Sequence, residues 1–231
     1  MQKRILLVTL GTILFFFRIG VSSGASSSEE IPPCPGSVPG FIMKALPEVG
    51  AAEGDRDEAE GRASAQSGLG KISGGINSSP ADITFDRGGA TITGGVNASP
   101  VDLQVDAKAG KITGGANGSK VDLTVRSNAE CTLITGGANG SPVELRIDWK
   151  NGVLSGHSNH SPARVEFQRK EGKQGTLVTL EGYANHAPVN LTYDQHSGKL
   201  TGGMGNSKVN LTFTKVTLEG FIDYFFLFLE A

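Results

Sequence analysis

The sequence has few aromatic residues, almost no net charge and only two cysteines, and each shortage excludes a class of protein. Aromatic residues make up 6% of the 231 residues, too few to fill a thick globular core with large side chains. The formal net charge is −2, so no polybasic face indicates binding to nucleic acid or to anionic lipid. Two cysteines exclude the multi-bridge framework of small secreted domains, and whether Cys34 and Cys131 pair is left open.

The sequence also lacks the motifs that usually carry catalysis. No serine lies in a nucleophile elbow. No glycine-rich loop leads from a strand into a helix to hold phosphate, and no carboxylate pair stands out as an acid and base. We therefore predict that the protein is not an enzyme and that it needs no cofactor, with bound calcium as the alternative.

The first residues have the features of a secretory signal peptide. Lys3 and Arg4 precede an apolar run that ends in small residues, so we expect a signal peptide over residues 1–25, cleaved after Ala25. Arg18 interrupts the apolar run and disfavours a permanent membrane anchor. We predict a protein that is secreted, extracellular or at the cell surface, with the periplasm as an alternative. It would meet a membrane only through the signal peptide before cleavage.

The segment over residues 26–70 is rich in Ser, Pro, Gly, Ala and charged residues. Such a composition buries too little apolar surface to offset the entropy lost on ordering. We predict a disordered linker.

Glycine is abundant, with 33 residues, and much of it belongs to a repeated frame. "ITGGVNASPVDLQVD" at 92–106 returns as "ITGGANGSKVDLTVR" at 112–126 and "ITGGANGSPVELRID" at 134–148. Most units begin 20 residues after the previous one, which is typical of repeat architectures. The first aliphatic residues of the seven units are Ile72, Ile92, Ile112, Ile134, Leu154, Leu180 and Leu200.

Each unit alternates apolar and polar residues as a β-strand does. Val101, Leu103 and Val105 are separated by polar residues, and Gly-Gly or Pro marks the strand ends. We predict an all-β domain of seven strand-turn-strand units over residues 71–215. Two folds fit this pattern, namely an antiparallel meander closed as a barrel or folded as a sandwich, and a β-solenoid of stacked coils.

One asparagine in each unit favours the solenoid. It shares the parity of the inward aliphatic residues, and a buried unpaired amide is costly. Identical amides in stacked coils can bond to one another along the stack. The alternative is that asparagine serves the turn geometry beside glycine. We therefore predict a β-solenoid rather than an antiparallel meander or barrel, with a stacking ladder formed by Asn77, Asn97, Asn117, Asn139, Asn159 and Asn185.

Two further columns are candidate ion sites. Carboxylates that follow the first strand aliphatic would lie about 5 Å apart in stacked coils, where calcium would relieve their repulsion. A solvated acidic stripe is the alternative. These carboxylates belong to Asp82, Asp102, Asp122 and Glu144. Three histidines near one edge could bind zinc or respond to pH, or serve only as turn residues, and they are His157, His160 and His186.

The repeat resembles a known family. Its frame Asp-x5-Ile-x-Gly-x-x-Asn-x-Ser-x-x-x-Leu starts at Asp86 and again at Asp106. It is similar to the curlin repeat of bacterial curli fibre subunits, Ser-x5-Gln-x-Gly-x-x-Asn-x-Ala-x-x-x-Gln. The resemblance covers all seven units and implies self-association into extracellular fibres. Both glutamine positions, which form stacking ladders in curlins, are aliphatic here.

The tail over residues 216–231 begins like another unit and then becomes nearly continuous aromatic and aliphatic residues. We predict a degenerate eighth repeat or a hydrophobic cap.

From these features we expect a secreted or surface β-repeat structural protein that contributes to an extracellular matrix, coat or adhesive assembly. Its partners would be further copies of itself or another surface component, and not nucleic acid. The alternative is a monomeric secreted binding module for glycan, calcium or a receptor. A third possibility is a transmembrane β-barrel.

Overall fold

The computed structural model describes residues 34, 38–39, 69–76, 78–172 and 175–229. The expected signal peptide, most of the expected linker and Asn77 lie outside the described residues. Apart from Cys34 and the two-residue strand β1 (Val38–Pro39), the described chain begins at Leu69.

Fourteen strands follow, and a short helical segment ends the described chain. The strands are β2 (Leu69–Ile76), β3 (Ser79–Asp86), β4 (Thr91–Val96), β5 (Ser99–Asp106), β6 (Lys111–Ala116), β7 (Ser119–Ser127), β8 (Cys131–Ala138), β9 (Ser141–Asp148), β10 (Val153–Ser158), β11 (Ser161–Gly172), β12 (Gly175–Ala184), β13 (Ala187–Asp194), β14 (Lys199–Met204) and β15 (Ser207–Thr214). The C-terminal segment, as we name residues 218–229, contains helix α1 (Leu218–Asp223) and a 3-10 turn (Phe225–Phe228). The expected tail therefore contains helix, and not another pair of strands.

The strands form a closed antiparallel barrel, so the predicted β-solenoid is wrong. From β2 to β15, each strand pairs antiparallel with the strand that follows it in sequence. Strand β15 then pairs with β2, with Phe213 opposite Ile72, and this pairing closes a ring of 14 strands. The seven repeats are seven hairpins arranged around the barrel, as in the antiparallel alternative.

The turns give the physical reason for this topology. At one end of the barrel, which we call the hairpin end, five asparagines have φ between 50° and 57° and the residue after each also has positive φ. Two such residues in succession make the type I′ turn that joins adjacent antiparallel strands. Stacked coils would need parallel neighbours, which a two-residue connection cannot join. The five asparagines are Asn97, Asn117, Asn139, Asn159 and Asn185.

At the opposite end, which we call the turn end, an aspartate at the end of a strand caps the following turn. Asp86 Oδ1 accepts hydrogen bonds from the backbone N–H groups of Gly88 and Gly89, at 2.9 and 3.0 Å. Asp106 Oδ1 accepts one from Ala109 at 2.7 Å. Asparagine and aspartate favour turns because their side chains satisfy these backbone donors.

The core is built from the inward aliphatic residues of the strands. Ile72, Leu103 and Leu123 are fully buried, whereas the alternating outward residues, such as Asp102 and Thr113, are exposed. The barrel thus has an apolar inside and a polar outside. Within the described residues, no helix has both the length and the apolar character needed to cross a bilayer.

The C-terminal segment fills the space inside the ring. Phe226 and Phe228 are fully buried. Near the turn end, Phe221 contacts Phe213, with ring centroids 5.4 Å apart. At the hairpin end, Asn185 Nδ2 donates to the carbonyl of Leu229 at 3.1 Å. The segment therefore runs along the inside of the barrel, because a ring of this many strands encloses more space than small aliphatic side chains can fill.

A disulfide joins the N-terminal part of the chain to the barrel. Cys34 and Cys131 are paired, with their Cα atoms 5.9 Å apart, and both side chains are buried. Beside this bond, β1 pairs antiparallel with the end of β7 at Arg126 and Ser127. Part of the expected linker is thus attached to the barrel at the turn end.

Candidate functional site

The outer face of the barrel repeats one row of side chains across neighbouring strands. Thr113 on β6 lies opposite Asp122 on β7, Asp122 opposite Gly137 on β8, and Gly137 opposite Pro142 on β9. Since glycine has no side chain, each row has a gap beside its acidic or amide residue. We call this gap a notch, bounded on one side by an acid or amide and on the other by Pro or Lys.

The notch at Gly137 contains a shallow surface cavity of about 330 Å³. Its lining includes Lys120, Asp122, Gly137, Ser141 and Pro142. The carboxylate of Asp122 also lies 3.4 Å from the ammonium of Lys120. The notch therefore presents a carboxylate, a cation and bare backbone to solvent, which suits a ligand with several hydroxyl groups.

Five of the seven rows contain a notch. The glycines that form them are Gly75, Gly95, Gly115, Gly137 and Gly203. In the other two rows a side chain occupies this position, with His157 beside Glu144 and Tyr183 beside Arg164. The outer face thus departs from its own repeat on one side of the barrel, and a departure from a repeated local pattern is a common mark of a functional site.

Tyr183 presents an aromatic surface on this side. Its relative exposure is 44%, which makes it one of three exposed large hydrophobic residues among those described. It lies opposite Arg164 on β11 and opposite Pro188 on β13. Arg164 Nη2 donates to Glu166 Oε1 at 3.0 Å, which holds the guanidinium on the outer face. The side chains around Tyr183 combine a flat apolar ring with charged hydrogen-bonding groups.

The residues expected to bind calcium lie on alternate strands. Asp82, Asp102, Asp122 and Glu144 occupy β3, β5, β7 and β9. Neighbouring carboxylates are therefore two strand spacings apart, about 10 Å, with a strand between them. Lysine also neutralises individual members, since Lys71 Nζ lies 2.9 Å from Asp82 Oδ2. In the part of the chain that the structure describes, no group of three or more His, Cys, Asp or Glu could hold a metal ion.

The three candidate histidines lie along the hairpin end, on the neighbouring hairpins β10–β11 and β12–β13. His157 is on β10, where it faces Glu144 on one side and Pro162 on the other. His160 and His186 occupy the second position of two type I′ turns, with φ of 56° and 59°. Glycine stands at this position in two other hairpins, at Gly118 and Gly140.

The candidate asparagines lie around the hairpin end, half-buried above the core. Because the repeats form hairpins, these residues follow one another around a rim and not along a stack of coils. Asn117 Nδ2 donates to Asn139 Oδ1 at 3.3 Å, so one neighbouring pair is joined. The Nδ2 atoms of Asn97 and Asn139 are buried and have no hydrogen-bond partner among the described residues. Asn77 lies outside the described residues.

Sequence reasoning missed Tyr183, Arg164 and the notches. The missed signal was present in the repeat itself, where "EGYANH" at 181–186 replaces the usual "TGGANG". The second glycine of the pair is a tyrosine there. Without the barrel, nothing in the sequence showed that Tyr183 faces solvent between Arg164 and Pro188.

No protein-family model, curated protein or solved structure matches this chain. The resemblance to curlin repeats stays a prediction from the sequence. The candidate site accordingly rests on the geometry of the outer face.

Proposed function

We propose that the chain is an exported, monomeric carbohydrate-binding module that holds glycan on its outer face, across Tyr183 and the notches. The observation that carries this proposal is the exposed ring of Tyr183. It occupies the outward position that glycine leaves open as a notch in five other units. A sugar ring has an apolar C–H face and an edge of hydroxyl groups. The tyrosine ring offers a surface for the apolar face. Carboxylate, amide and hydroxyl side chains offer hydrogen bonds to the hydroxyl groups.

The repetition of the notches supports an extended glycan as the ligand. Equivalent notches at Gly95, Gly115 and Gly137 lie two strands apart, about 10 Å, which is comparable to the length of a disaccharide. A polysaccharide lying around the barrel would meet several equivalent sites. Linked contacts of this kind increase the overall affinity without any single strong contact.

The closed ring favours a binding module over the structural assembly also expected from the sequence. Association through β-strands requires a strand with unpaired backbone groups. Each of the 14 strands in the ring is paired on both sides. The barrel therefore supports a protein that acts as a monomer through its side chains.

Two observations support export. The sequence over residues 1–25 has the charge and apolar pattern of a signal peptide. The disulfide between Cys34 and Cys131 fits an oxidising compartment, where such bonds form and persist.

The proposal is tested by screening the purified chain against a panel of neutral and acidic polysaccharides and by measuring affinity for the best by calorimetry. We expect Tyr183→Ala to weaken binding about tenfold, the effect of removing an aromatic anchor. Gly137→Thr should also weaken it, since its side chain fills the notch and a Cβ there comes no closer than 3.7 Å to another atom. Lys170→Gln, at the turn end, is the control.

Two outcomes would count against the proposal in different ways. If no polysaccharide on the panel binds, carbohydrate binding is wrong. If a polysaccharide binds and all three variants retain its affinity, the module binds glycan but through another surface.

A further inference from the structure

The sequence contains seven Asn-x-Ser or Asn-x-Thr triplets, the motif that accepts an N-linked glycan in exported proteins. Five of them belong to the "GGANGS" part of the repeated frame, at Asn77, Asn97, Asn117, Asn139 and Asn159. The other two lie at the strand position where earlier units have an acidic residue, at Asn190 and Asn210. The two groups differ in how accessible the amide nitrogen is that would bear the sugar.

The amide nitrogens of the turn asparagines are enclosed in the folded barrel. The Nδ2 atoms of Asn97 and Asn139 are buried. The Nδ2 of Asn117 donates to Asn139 Oδ1 at 3.3 Å, so it is held against its neighbour. An N-linked glycan is bulky and hydrated, and it must leave Nδ2 towards solvent. These three turns therefore leave no room for a sugar on their asparagines.

Asn190 and Asn210 instead face solvent on the outer face of the barrel. They lie within β13 and β15, where each is an exposed residue between two buried ones. Because side chains two residues apart in a strand share a face, Thr192 and Thr212 point to the same side as their asparagines. Both complete motifs are thus on the outside of the wall.

The neighbours of these two asparagines leave space for a sugar. Asn190 lies opposite Gly203 on β14, and Asn210 lies opposite Gly75 on β2. Both glycines form notches, where bare backbone faces solvent. The first sugar on each asparagine can therefore lie over the notch beside it without displacing a side chain.

We propose that Asn190 and Asn210 are N-glycosylation sites, whose sugars cover the notches at Gly203 and Gly75. The donor is an oligosaccharide joined to a lipid pyrophosphate, which the chain meets during export. A bond forms between Nδ2 and the anomeric carbon of the first sugar, and Nδ2 gives up a proton. The bond from that carbon to the pyrophosphate oxygen breaks, and its electron pair leaves with the lipid pyrophosphate. The proposal rests on export but not on carbohydrate binding by Tyr183.

The modification would divide the outer face of the barrel into two parts. The notches beside an acidic residue, at Gly95, Gly115 and Gly137, stay open to solvent. The notches beside an asparagine are covered by sugars attached to the chain itself. A glycan ligand would then meet the acidic notches and the Tyr183 side alone.

The test is peptide mass spectrometry on the exported protein, purified from the cells that make it. A peptide N-glycosidase hydrolyses the bond from Nδ2 to the chain and, in water labelled with heavy oxygen, leaves a labelled aspartate wherever a sugar was attached. We expect the label at Asn190 and Asn210 and none at Asn97 or Asn139. The mature N-terminus, read from the same sample, reports export separately.

Two variants test whether the position on the outer face decides the modification. Thr192→Ala keeps Asn190 but removes the hydroxyl of its motif, and should lose the sugar at Asn190 alone. Thr192→Ser is the matched control and should retain it. Asp122→Asn completes the same motif with Thr124 on β7, beside the notch at Gly137, and should gain a sugar.

The outcomes separate this proposal from the proposed function. An exported chain without sugar at Asn190 or Asn210 overturns the modification, and so does sugar on Asn97 or Asn139. A chain that is not exported overturns the modification and export together. If both sugars are present and no polysaccharide binds, the modification stands and carbohydrate binding is wrong.

Discussion

At the residue scale, the first glycine of each Gly-Gly pair has the strictest requirement in the barrel. Gly114 has a φ of 139°, which residues with a side chain rarely adopt. A Cβ on Gly114 would also fall on the carbonyl oxygen of Asp102 in the next strand. The neighbouring Gly115 has neither restriction, since a Cβ there would lie 3.7 Å from the carbonyl oxygen of Ser119. The two glycines therefore serve different purposes, the first for backbone approach and the second for the open notch.

This difference predicts opposite outcomes for two adjacent substitutions. We expect Gly114→Ala to lower the free energy of unfolding by about 2 kcal/mol or more, because it combines a strained φ with a clash against backbone. Gly115→Ala should change it by less than about 1 kcal/mol. Equilibrium denaturation in urea measures both. Equal effects of the two substitutions would contradict the geometry described for the pair.

The aspartates of the turn end predict a loss of stability in acid. Burial raises the pKa of Asp148, but hydrogen bonds from the backbone and side chain of Asn151, with the charge of Arg146, outweigh it, so that its pKa is lowered. The hydroxyl of Ser197 is the main cause that lowers the pKa of Asp194. A carboxyl group whose pKa is lowered in the folded state stabilises the fold at pH values above its unfolded pKa, which is near 3.8. This stabilisation is lost as the pH falls through the pKa of the folded state.

We therefore expect the free energy of unfolding to fall between about pH 5 and pH 2, and to fall less steeply in Asp148→Asn. Asparagine keeps an oxygen to accept the turn hydrogen bond but cannot take up a proton. Chemical denaturation at a series of pH values measures the two slopes. Parallel profiles for the parent and the variant would show that Asp148 does not contribute to the acid loss.

At the scale of elements, the C-terminal segment supplies the large side chains that the strands lack. Thr217 caps helix α1, its hydroxyl accepting from the backbone N–H of Gly220 at 3.2 Å. Arg169 of β11 pairs with Glu219 at 3.0 Å, and Tyr224 packs against Phe85 with ring centroids 5.6 Å apart. Burial of Tyr224 raises the pKa of its phenol, as expected inside a barrel. The segment is thus part of the core and not an appendage.

Truncating a side chain in this segment should cost as much as truncating one in a globular core. We expect Phe226→Ala, at a fully buried position, to lower the free energy of unfolding by about 3 to 5 kcal/mol. Phe226→Leu should cost less, because it leaves a smaller cavity. Leu177→Ala, at a position that is 41% exposed, is the control and should change stability by less than about 0.5 kcal/mol. A near-neutral effect of Phe226→Ala would mean that the segment does not pack inside the ring.

At the scale of the whole molecule, the pairing that closes the ring bears on self-association. Strands β2 and β15 lie at opposite ends of the repeat region, and their pairing leaves the ring without a free edge. Proteins that close a sheet in this way remove the template for edge-to-edge association. Closure also requires contacts between residues far apart in sequence, such as Ile72 and Phe213, which slows folding.

We expect the purified protein to stay monomeric up to high concentration in light scattering and to form no fibres under the electron microscope. A substitution at the closing pair should change this. Gly74→Val places a side chain against the carbonyl oxygen of Asn210, between β2 and β15, and should open the ring and promote association. Ordered fibres from the parent protein would instead support the assembly function implied by the curlin resemblance.

Much of the barrel was predictable from the sequence at short range. The alternation of Val101, Leu103 and Val105 correctly indicated strands and the face that points inward. The turn chemistry of Asn-Gly at 117–118 also pointed to hairpins, but the asparagines were interpreted as a ladder between stacked coils. The interpretation failed because amide bonding along a stack and left-handed turn geometry both select asparagine, and the pattern alone does not separate them.

The expectation that Gly-Gly marks a strand end is wrong, since Gly94 and Gly95 lie within β4. What the sequence by itself determined is local, namely that the repeat units form strands and which side chains face the core. These follow from the two-residue period of a strand and the allowed φ of each residue type. Only the tertiary structure decided that the seven hairpins close into a ring, that the C-terminal segment fills it, and that Tyr183 occupies the outward position that glycine leaves open in five other rows. The reason is physical: a period-2 pattern is the same in a parallel stack and in an antiparallel meander. Closure instead depends on twist and register added over 14 strands, and on a pairing between the first and the last of them.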